Sequence, residues 1–380
     1  MIVDRSALSE TQRRNLQAGL AAYRDGNVVS SPRPAALFVE LTRNCISRCR
    51  YCCRKGWTND SAFDMSRDTF RRVVEECAPY ASFVDVRSFG ESLMVRDLPW
   101  YLEQTARVCP NLRITTTLGC GSQGTLRALV DHDVFVSVSF DAANQKLYER
   151  YRRGIKYDVV MRNMEFVSSE MLAKHGSLLG RMRIGIAPLY GESLDHVDGV
   201  LEVAYRLRIP EVRIVALTSS WYDPNLLVYH PRKVLRTLHK AIEKAETYGI
   251  ELQFATPILA SLKLPDKVCE LCFKPWFYSV ITFDGTMRCC DWQAELEQSR
   301  DDFGNIRDGV ESAWNGEVAK RVRHTHVQGQ GVSSTCRNCY RIGRYSDHEH
   351  DLDPSFRRWL VAGADMKRAI ERSWRERVGD

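Results

Sequence analysis

The residues of this sequence that could do chemistry are cysteines, and most of them are clustered. The segment "RNCISRCRYCCRKGW" (43–57) holds Cys45, Cys49 and Cys52 in the spacing C-x3-C-x2-C, with Cys53 next to the last of them. Three thiolates on one short loop can bind an iron–sulfur cube and leave one iron without a protein ligand. Structural zinc normally takes four ligands, and adjacent cysteines cannot easily reach the same metal. A zinc site or unused thiols are the alternatives.

A second group of cysteines lies far along the chain. It follows the pattern C-x17-C…C-x2-C and comprises Cys272, Cys290, Cys336 and Cys339. Cys269 and Cys289 are adjacent extras. The two pairs "CELC" (269–272) and "CRNC" (336–339) also match a zinc ribbon. Zinc is therefore the alternative to an iron–sulfur cluster at this second site.

The chain as a whole limits the possible classes of protein. Its 380 residues suit one large catalytic domain and a smaller one. The net charge is +6, and the basic residues are mixed with acidic ones along the chain. This distribution does not favour nucleic-acid binding. No apolar stretch is long enough for a membrane span, and the N-terminus lacks a secretory h-region. We expect a cytoplasmic location, where thiols stay reduced and disulfides are rare.

Short β-prone runs alternate with helical patterns from residue 37 onwards. Strands are predicted at 37–41, 83–89, 112–118, 134–140, 181–189 and 212–218, and helices at 65–80, 98–110, 122–132, 144–171, 194–207 and 232–247. Six such βα units predict a parallel sheet, either open and doubly wound or a partial barrel. Both architectures place the ligand site at the C-terminal ends of the strands.

We predict four parts along the chain. Residues 1–34 form a helical extension, residues 35–248 the βα domain, residues 249–345 a smaller α+β domain, and residues 346–380 a helical tail. The smaller domain begins after a further strand-like run, "IELQFAT" (250–256). It contains a hairpin signal, because the turn-forming pair Asp284–Gly285 separates two β-prone runs.

The first cysteine loop resembles the radical S-adenosylmethionine (SAM) superfamily. The resemblance consists of C-x3-C-x2-C with the aromatic Tyr51 before the last cysteine, in the loop after the first strand of a βα domain. It implies a partial (β/α)6 barrel in which Cys45, Cys49 and Cys52 hold a [4Fe-4S] cluster. The open iron of that cluster would bind the amino and carboxylate groups of SAM. Reductive cleavage of SAM would then give methionine and a 5′-deoxyadenosyl radical.

Further motifs of this family fall at the ends of later strands. "SFGES" (88–92) resembles the family's Gly-Gly-Glu stretch with Phe89 in place of the first glycine, so Gly90 and Glu91 are expected at the SAM amino group. "SVSFDAANQKLYERYRRG" (137–154) is similar to another family stretch. The resemblance places Ser139 and Asp141 near the ribose or substrate, and Arg152 near the SAM carboxylate. "TTLGC" (116–120) resembles the third-strand motif of the family with Leu118 in place of asparagine.

The second cysteine group resembles the SPASM/twitch extension of radical SAM enzymes. The likeness includes the hairpin with its Asp-Gly turn, "AWNGE" (313–317) and "CRNC". It implies an auxiliary [4Fe-4S] cluster held by Cys272, Cys290, Cys336 and Cys339. No cysteine follows Cys339, so the single-cluster form is predicted. Four protein ligands would make this cluster an electron relay and not a substrate chelator.

The resemblance extends to dehydrogenases and epimerases of aminoglycoside and aminocyclitol pathways. In the leading hypothesis, a carbinol carbon of a sugar or aminocyclitol loses a hydrogen atom, a base takes the hydroxyl proton, and the remaining electron passes to the auxiliary cluster, which leaves a ketone. An external one-electron reductant of the flavodoxin or ferredoxin type would supply the first electron. No nucleic acid or membrane is expected as a partner. Cys120, Arg152 and Glu192 are predicted to be catalytic, and Tyr51 to contact the cofactor. Possible substrate-contacting residues are Arg183, Glu192, Thr218, Trp221 and Tyr222.

Three alternatives remain open. In an epimerase, Cys120 at the end of the third strand would return a hydrogen atom to the substrate. In a peptide maturase, the substrate would be a precursor peptide, although residues 1–34 are too short for the peptide-binding domain that such enzymes often carry. A zinc-ribbon protein without catalytic activity would be colourless, whereas an iron–sulfur enzyme would be brown.

Overall fold

The computed structural model describes most of the first 254 residues and separate parts of the remainder. The described residues are 4, 6–52, 54, 57–87, 89–189, 191–215, 224–227, 230–254, 272–290, 302–328 and 361–362. The predicted ligands Cys336 and Cys339, the adjacent Cys53 and Cys269, and the substrate candidates Thr218, Trp221 and Tyr222 lie outside these ranges.

A parallel sheet forms the centre of the fold. Its strands are β1 (Ala36–Val39), β2 (Phe83–Asp85), β3 (Leu112–Thr116), β4 (Phe135–Ser139), β5 (Met182–Ile186), β6 (Glu211–Ile214) and β7 (Glu251–Phe254). All six predicted strands are confirmed, and the seventh strand-like run also forms a strand. Each strand pairs in parallel with the next one along the chain. This sequential order is that of a barrel, because a doubly wound sheet reverses its strand order in the middle.

Helices cover one face of the sheet, except the first, which packs against alternate strand residues such as Ala36 and Phe38. They are α1 (Glu10–Arg24), α2 (Arg67–Arg72, continued by a π-helical turn Val73–Cys77), α3 (Leu98–Ala106), α4 (Gln123–Asp131), α5 (Gln145–Tyr151), α6 (Tyr157–His175), α7 (Val197–Arg206) and α8 (Pro231–Tyr248). Strand residues that face them are apolar and buried, for example Val84, Ile114 and Val138. The alternate strand residues form the inner face of the sheet. This face includes polar side chains such as Arg87, Thr115 and Ser137.

The predicted continuous helix at 144–171 is wrong in its middle. The chain leaves α5 after Tyr151 and starts α6 at Tyr157. Gly154 between them has φ +92°, and a Cβ there would lie 2.6 Å from the carbonyl oxygen of Ile46. The interruption therefore brings residues 151–154 against the cysteine loop, a contact that helical periodicity cannot show.

The C-terminal region extends the same sheet. Its elements are α9 (Lys274–Phe277), β8 (Tyr278–Ile281), β9 (Thr286–Arg288), β10 (Gly304–Asn305), α10 (Val310–Trp314), α11 (Glu317–Val327) and β11 (Val361–Ala362). Strand β8 pairs in parallel with β1, and β8 and β9 form the predicted hairpin. The full order is β10-β9-β8-β1-β2-β3-β4-β5-β6-β7-β11. The boundary near residue 249 stays a prediction, since the sheet continues on both sides of it.

The predicted helical tail is wrong at Val361–Ala362. These two residues form β11 and pair antiparallel with β7, whereas the rest of residues 346–380 lies outside the described ranges. Within the part of the chain that the structure describes, no helix combines the length and the apolar character that a membrane span requires.

Candidate active site

The first cysteine loop follows β1 and is held from one side by the segment after β2. Gly90 lies so close to this loop that a Cβ would clash with the carbonyl oxygen of Thr42 and lie 2.7 Å from that of Asn44. The amide of Glu91 donates a 2.8 Å hydrogen bond to the same Asn44 oxygen. The glycine predicted at this position is therefore required by a close approach of two backbones.

The segment between α5 and α6 holds the loop from the other side. The amide of Arg48 donates to the carbonyl oxygen of Arg153 at 2.8 Å, and the amide of Arg50 donates to that of Tyr151 at 3.0 Å. Gly154 completes this contact next to Ile46. Backbone contacts thus hold the loop on two sides, which gives the three cysteines defined positions at the C-terminal end of β1.

Hydrogen-bond donors surround the three thiols. The Ser47 amide donates to Sγ of Cys45 at 3.4 Å, and its hydroxyl lies 2.9 Å from Sγ of Cys49. The Arg54 amide donates to Sγ of Cys52 at 3.5 Å. Burial raises the pKa of the Cys45 thiol to about 11, so ligation requires a metal to displace the proton. Such donors stabilise the thiolates of an iron–sulfur site.

The three thiols of the loop fit an iron–sulfur cluster. All three are free and partly buried. Three thiolates that bind three different irons of a cube do not have to converge on one point. The donor set, its spacing and the N–H···S contacts fit a [4Fe-4S] cluster with one open iron.

Asp141, Arg152 and Tyr51 come together beside the loop, as three residues predicted for cofactor binding. Oδ2 of Asp141 accepts from Nε of Arg152 at 2.7 Å and from the Tyr51 hydroxyl, and Oδ1 accepts from the Ala187 amide at 2.9 Å. A terminal nitrogen of Arg152 lies 3.6 Å from Sγ of Cys49. Arg152 therefore links a buried carboxylate to a predicted cluster ligand.

Glu91 connects the ends of two strands. Its carboxylate accepts from the Thr116 hydroxyl at 2.6 Å, from the Thr117 hydroxyl at 2.7 Å and from the Thr117 amide at 2.9 Å. The predicted contact of Glu91 with the SAM amino group stays a prediction. Ser139 lies half-buried at the end of β4, in the position predicted for a ribose or substrate contact.

Glu192 accepts hydrogen bonds from four side chains. Its oxygens lie 2.8 Å and 2.9 Å from a terminal nitrogen of Arg50, and it also accepts from Arg150 at 2.7 Å, from Tyr151 at 2.7 Å and from Asn225 at 3.0 Å. Burial raises the pKa of Glu192, but these donors outweigh burial and the net effect lowers it. Glu192 is therefore an ionised carboxylate that holds several segments of the chain together. Its catalytic role stays a prediction.

Cys120 is half-buried close to the first cysteine loop. Burial raises the pKa of its thiol, and the neighbouring Glu91 carboxylate and Cys45 thiol raise it further. The thiol is therefore protonated at neutral pH, the form that can give up a hydrogen atom. Leu118, two residues earlier, has φ +54° and gives the chain the turn that follows β3.

The structure corrects one expectation and adds one residue. Arg183 was expected among polar residues at the strand ends that face the substrate, but it is the second residue of β5 and donates to Ser137 at 3.0 Å and to Glu211 at 3.3 Å. Arg54 was not expected in the site, yet it is buried beside the cluster loop and its Nε has no hydrogen-bond partner in the described part of the chain. Its position directly after the cysteines is the only signal in the sequence.

The second cysteine group is placed at the opposite end of the sheet. Cys272 precedes α9 and Cys290 follows β9, so both lie where β8 begins. Since Tyr278 of β8 pairs with Ala36 of β1, this is the end at which β1 starts. Cys289 is buried in the hydrophobic core, whereas Cys290 is only partly buried at its margin. This difference favours Cys290 as the predicted ligand.

Comparison with known families defines the class of protein. The radical SAM superfamily matches residues 39–204, and an iron–sulfur cluster-binding domain, SPASM, matches residues 272–340. The chain belongs to the radical SAM superfamily and carries a C-terminal SPASM domain. It is an enzyme of that superfamily, and SAM and [4Fe-4S] clusters are its cofactors. No curated protein matches the chain.

Solved structures share the fold at low sequence identity. Streptococcus suis SuiB bound to SAM is 13% identical, with a TM-score of 0.61 over 85% of this chain and 81% of SuiB. The enzyme anSMEcpe with bound AdoMet is 14% identical, with a TM-score of 0.59 over 91% of this chain and 98% of the other. BtrN in complex with AdoMet and 2-DOIA aligns with a TM-score of only 0.39, which carries no argument about substrate.

Proposed function

We propose that this enzyme oxidises the carbinol carbon of a small hydroxylated substrate, of the aminoglycoside or aminocyclitol type, to a ketone. The observation that supports this most directly is the position of the two cysteine groups at opposite ends of the paired strands β1 and β8. Each residue of β1 advances the strand by roughly 3.3 Å, so the length of the strand separates the two cysteine groups. A substrate on the inner face of the barrel would therefore lie between a radical-generating site and an electron acceptor.

The inner face of the barrel supports a polar substrate. Arg87 donates to the Thr115 hydroxyl at 3.3 Å, and Ser137 and Ser139 follow one another along the same face of β4. Hydroxyl and guanidinium groups of this kind suit the hydrogen bonding of a polyhydroxylated ring. The same face also carries the aromatic residues Phe38, Phe83 and Phe135, so the interior combines polar and aromatic groups where barrels of this order normally have branched apolar side chains.

The roles of the chain's own residues follow from their contacts. Cys45, Cys49 and Cys52 would hold the SAM-binding cluster, and Cys272, Cys290, Cys336 and Cys339 the auxiliary one. When bound, SAM and the clusters supply a carbon radical that removes a hydrogen atom, and an acceptor for the electron that remains. Arg152 places a positive charge next to the Cys49 thiolate, and Asp141 fixes the position of Arg152 and of the Tyr51 hydroxyl. An external flavodoxin- or ferredoxin-type reductant and a cytoplasmic location complete the proposal.

Product analysis in deuterated water tests the proposal. The protein is reconstituted anaerobically with iron and sulfide and supplied with SAM, a reductant and candidate aminocyclitol glycosides. We expect 5′-deoxyadenosine together with a product that has lost two hydrogen atoms. Formation of no 5′-deoxyadenosine with any substrate would contradict the proposed radical chemistry. SuiB is also solved with its precursor peptide and anSMEcpe with the Cp18Cys peptide, so peptide turnover in parallel assays would replace the proposed substrate class.

Epimerisation is a second candidate, because a protonated thiol lies near the cluster loop. Cys120 is close enough to Cys45 and Glu91 for their charges to act on its pKa. A substrate radical quenched by this thiol would gain a solvent-derived hydrogen at the attacked carbon. Incorporation of one deuterium without oxidation, abolished by Cys120→Ala, would identify an epimerase. A ketone product that is unaffected by the substitution would exclude it.

A further inference from the structure

Arg323 of α11 is a fully buried guanidinium bound only to neutral groups. Nε donates to the carbonyl oxygen of Pro275 at 2.8 Å, and the terminal nitrogens donate to those of Val28 at 3.0 Å and Trp314 at 2.8 Å and to Oδ1 of Asn315 at 2.9 Å. Its exposed fraction is 0%. None of these hydrogen-bond partners carries a negative charge, and the rings of Trp314 and Phe303, 4.6 Å and 5.8 Å from the guanidinium carbon, offset the cation only in part.

Two other arginines with little exposed surface have carboxylate partners. Arg152 pairs with Asp141 at 2.7 Å and Arg183 with Glu211 at 3.3 Å. Burial lowers the pKa of Arg323 to about 9, so the group is still a cation at neutral pH. A buried charge without a counter-charge costs several kcal/mol. The arrangement therefore calls for an anion nearby.

Two ionisable side chains lie within electrostatic range of Arg323, the Cys289 thiol and the Glu311 carboxylate. Glu311 is largely exposed and already pairs with Arg33, so solvent screens it. Cys289 is buried and is the direct neighbour of Cys290. Pro275, which binds Nε of Arg323, lies three residues after Cys272. Arg323 is thus hydrogen-bonded to the backbone segment that follows Cys272 and lies within electrostatic range of the residue before Cys290.

We propose that Arg323 is the counter-charge of the auxiliary cluster and raises its reduction potential. A cube with four thiolate ligands has a net negative charge, which grows by one on reduction. A fixed buried cation stabilises the more negative state, because Coulomb attraction is strong where water is excluded. The inference rests on the proposed function: a higher potential makes this cluster a better acceptor for the electron that leaves the substrate.

The charge of Arg323 can be removed while the rest of the helix is kept. Arg323→Gln removes the charge, Arg323→Lys retains it, and Arg321→Gln removes an exposed charge from the same helix as a matched control. Redox titration of the holoenzyme, followed by electron paramagnetic resonance, gives the potential of each cluster. SAM alters only the signal of the cluster that binds it. We expect Arg323→Gln to shift the one-electron equilibrium of the auxiliary cluster at least tenfold towards the oxidised form, which is 59 mV. Arg323→Lys and Arg321→Gln should shift it by much less.

Asn315→Asp provides a second test that keeps Arg323 in place. It puts a carboxylate where Oδ1 of Asn315 now accepts from the guanidinium, and so neutralises the charge without emptying the site. The auxiliary potential should fall as it does in Arg323→Gln. This variant decides the question if Arg323→Gln does not fold. An unchanged potential in Asn315→Asp would overturn the inference.

The titration also separates this inference from the proposed function. A wild-type protein with the SAM-responsive cluster but without a second cluster would contradict the auxiliary site itself. A second cluster whose potential is the same in wild type, Arg323→Gln and Asn315→Asp would contradict only the role of Arg323. Loss of the second cluster from Arg323→Lys, with its potential unchanged in Asn315→Asp, would assign Arg323 a purely structural role.

Discussion

Asp141 shows what one side chain contributes to the candidate site. It is buried, it accepts three hydrogen bonds, and one of them comes from the guanidinium that also contacts Sγ of Cys49. Removal of one partner from a buried ion pair leaves the other charge uncompensated, which is worse than the loss of the attraction alone. Asp141 is therefore expected to matter for stability before any cofactor binds.

Asp141→Asn tests this in the apoprotein. We expect the free energy of unfolding to fall by about 3–5 kcal/mol, because Arg152 remains buried without its carboxylate. Chemical denaturation followed by circular dichroism measures the change. The control is Asp68→Asn, which removes the exposed pair between Asp68 and Arg71 and should cost less than about 1 kcal/mol. Equal effects of the two substitutions would show that the Asp141–Arg152 pair contributes no more than a surface pair.

The sequence allows Tyr51, Asp141 and Arg152 to be predicted one by one, but not their mutual contact. Tyr51 and Asp141 are 90 residues apart, and no local pattern encodes a hydrogen bond over that separation. Family motifs place each of them near SAM or substrate. The structure adds that they bind one another, and that Glu91 and Glu192 are likewise held by protein donors.

The cysteine loop is positioned by backbone contacts between elements. Gly90 after β2 and Gly154 between α5 and α6 press on its two sides. Gly90→Ala should prevent the close approach of the segment after β2, because the added Cβ meets backbone atoms that cannot move independently. We expect loss of the SAM-binding cluster, with about half of the iron retained at the auxiliary site.

Iron content and visible absorbance after anaerobic reconstitution measure this effect. Gly124→Ala is the matched control, because the nearest atom to a Cβ at Gly124 is the Ser122 hydroxyl oxygen at 3.8 Å, and alanine favours a helix. Full iron content in Gly90→Ala would mean that the cysteine loop still binds its cluster when the segment after β2 is displaced.

Glu192 joins the cysteine loop, α5 and the segment at Asn225. Its hydrogen bonds to two arginines are charge-assisted. The bond to Arg50 is worth roughly 1.5–3 kcal/mol, whereas the bond to the exposed Arg150 contributes about 1 kcal/mol or less. Because the pKa of Glu192 is lowered, the contribution is complete above its ordinary pKa and is lost as pH falls through the lowered value. Glu192→Gln should loosen the loop already at neutral pH.

Hydrogen exchange detects this loosening. Amides of residues 45–52 should exchange faster in Glu192→Gln, whereas those of β3 should not change. Glu165→Gln is the control, because it breaks an exposed pair with Arg206. Unaltered exchange in the loop would show that its backbone contacts suffice without Glu192.

Local patterns predict the βα units well and their interruptions poorly. All six strands appear where apolar and β-branched runs predict them, and Ser66, Ser122 and Asn144 cap helices as short polar residues do. The break at Gly154 depends on Ile46, more than a hundred residues away. The pairing of β8 with β1 joins segments about 240 residues apart, which periodicity cannot reveal either.

The molecule as a unit places two predicted clusters at the two ends of one strand pair. This arrangement makes each site separable by mutation, since the loop after β1 and the ends of the β8–β9 hairpin share no described ligand. A mutation at one site should therefore abolish formation of the radical, and a mutation at the other should abolish transfer of the remaining electron, each without affecting the other. A variant of the auxiliary site that still cleaves SAM is the clearest test of that division.

Cys290→Ala and Cys289→Ala are a matched pair for this test. Cys290 is the predicted auxiliary ligand, whereas its neighbour Cys289 is buried in the core. We expect Cys290→Ala to lose about half of the iron and to stop product formation, while it still forms 5′-deoxyadenosine from SAM. Cys289→Ala should keep its iron and its product, because a small apolar side chain can replace a buried thiol. Iron analysis measures the loss of the cluster, and chromatography of the reaction mixture measures the product and 5′-deoxyadenosine. The reverse pattern would assign the ligand to Cys289, and loss of 5′-deoxyadenosine in Cys290→Ala would show that the two sites are not independent.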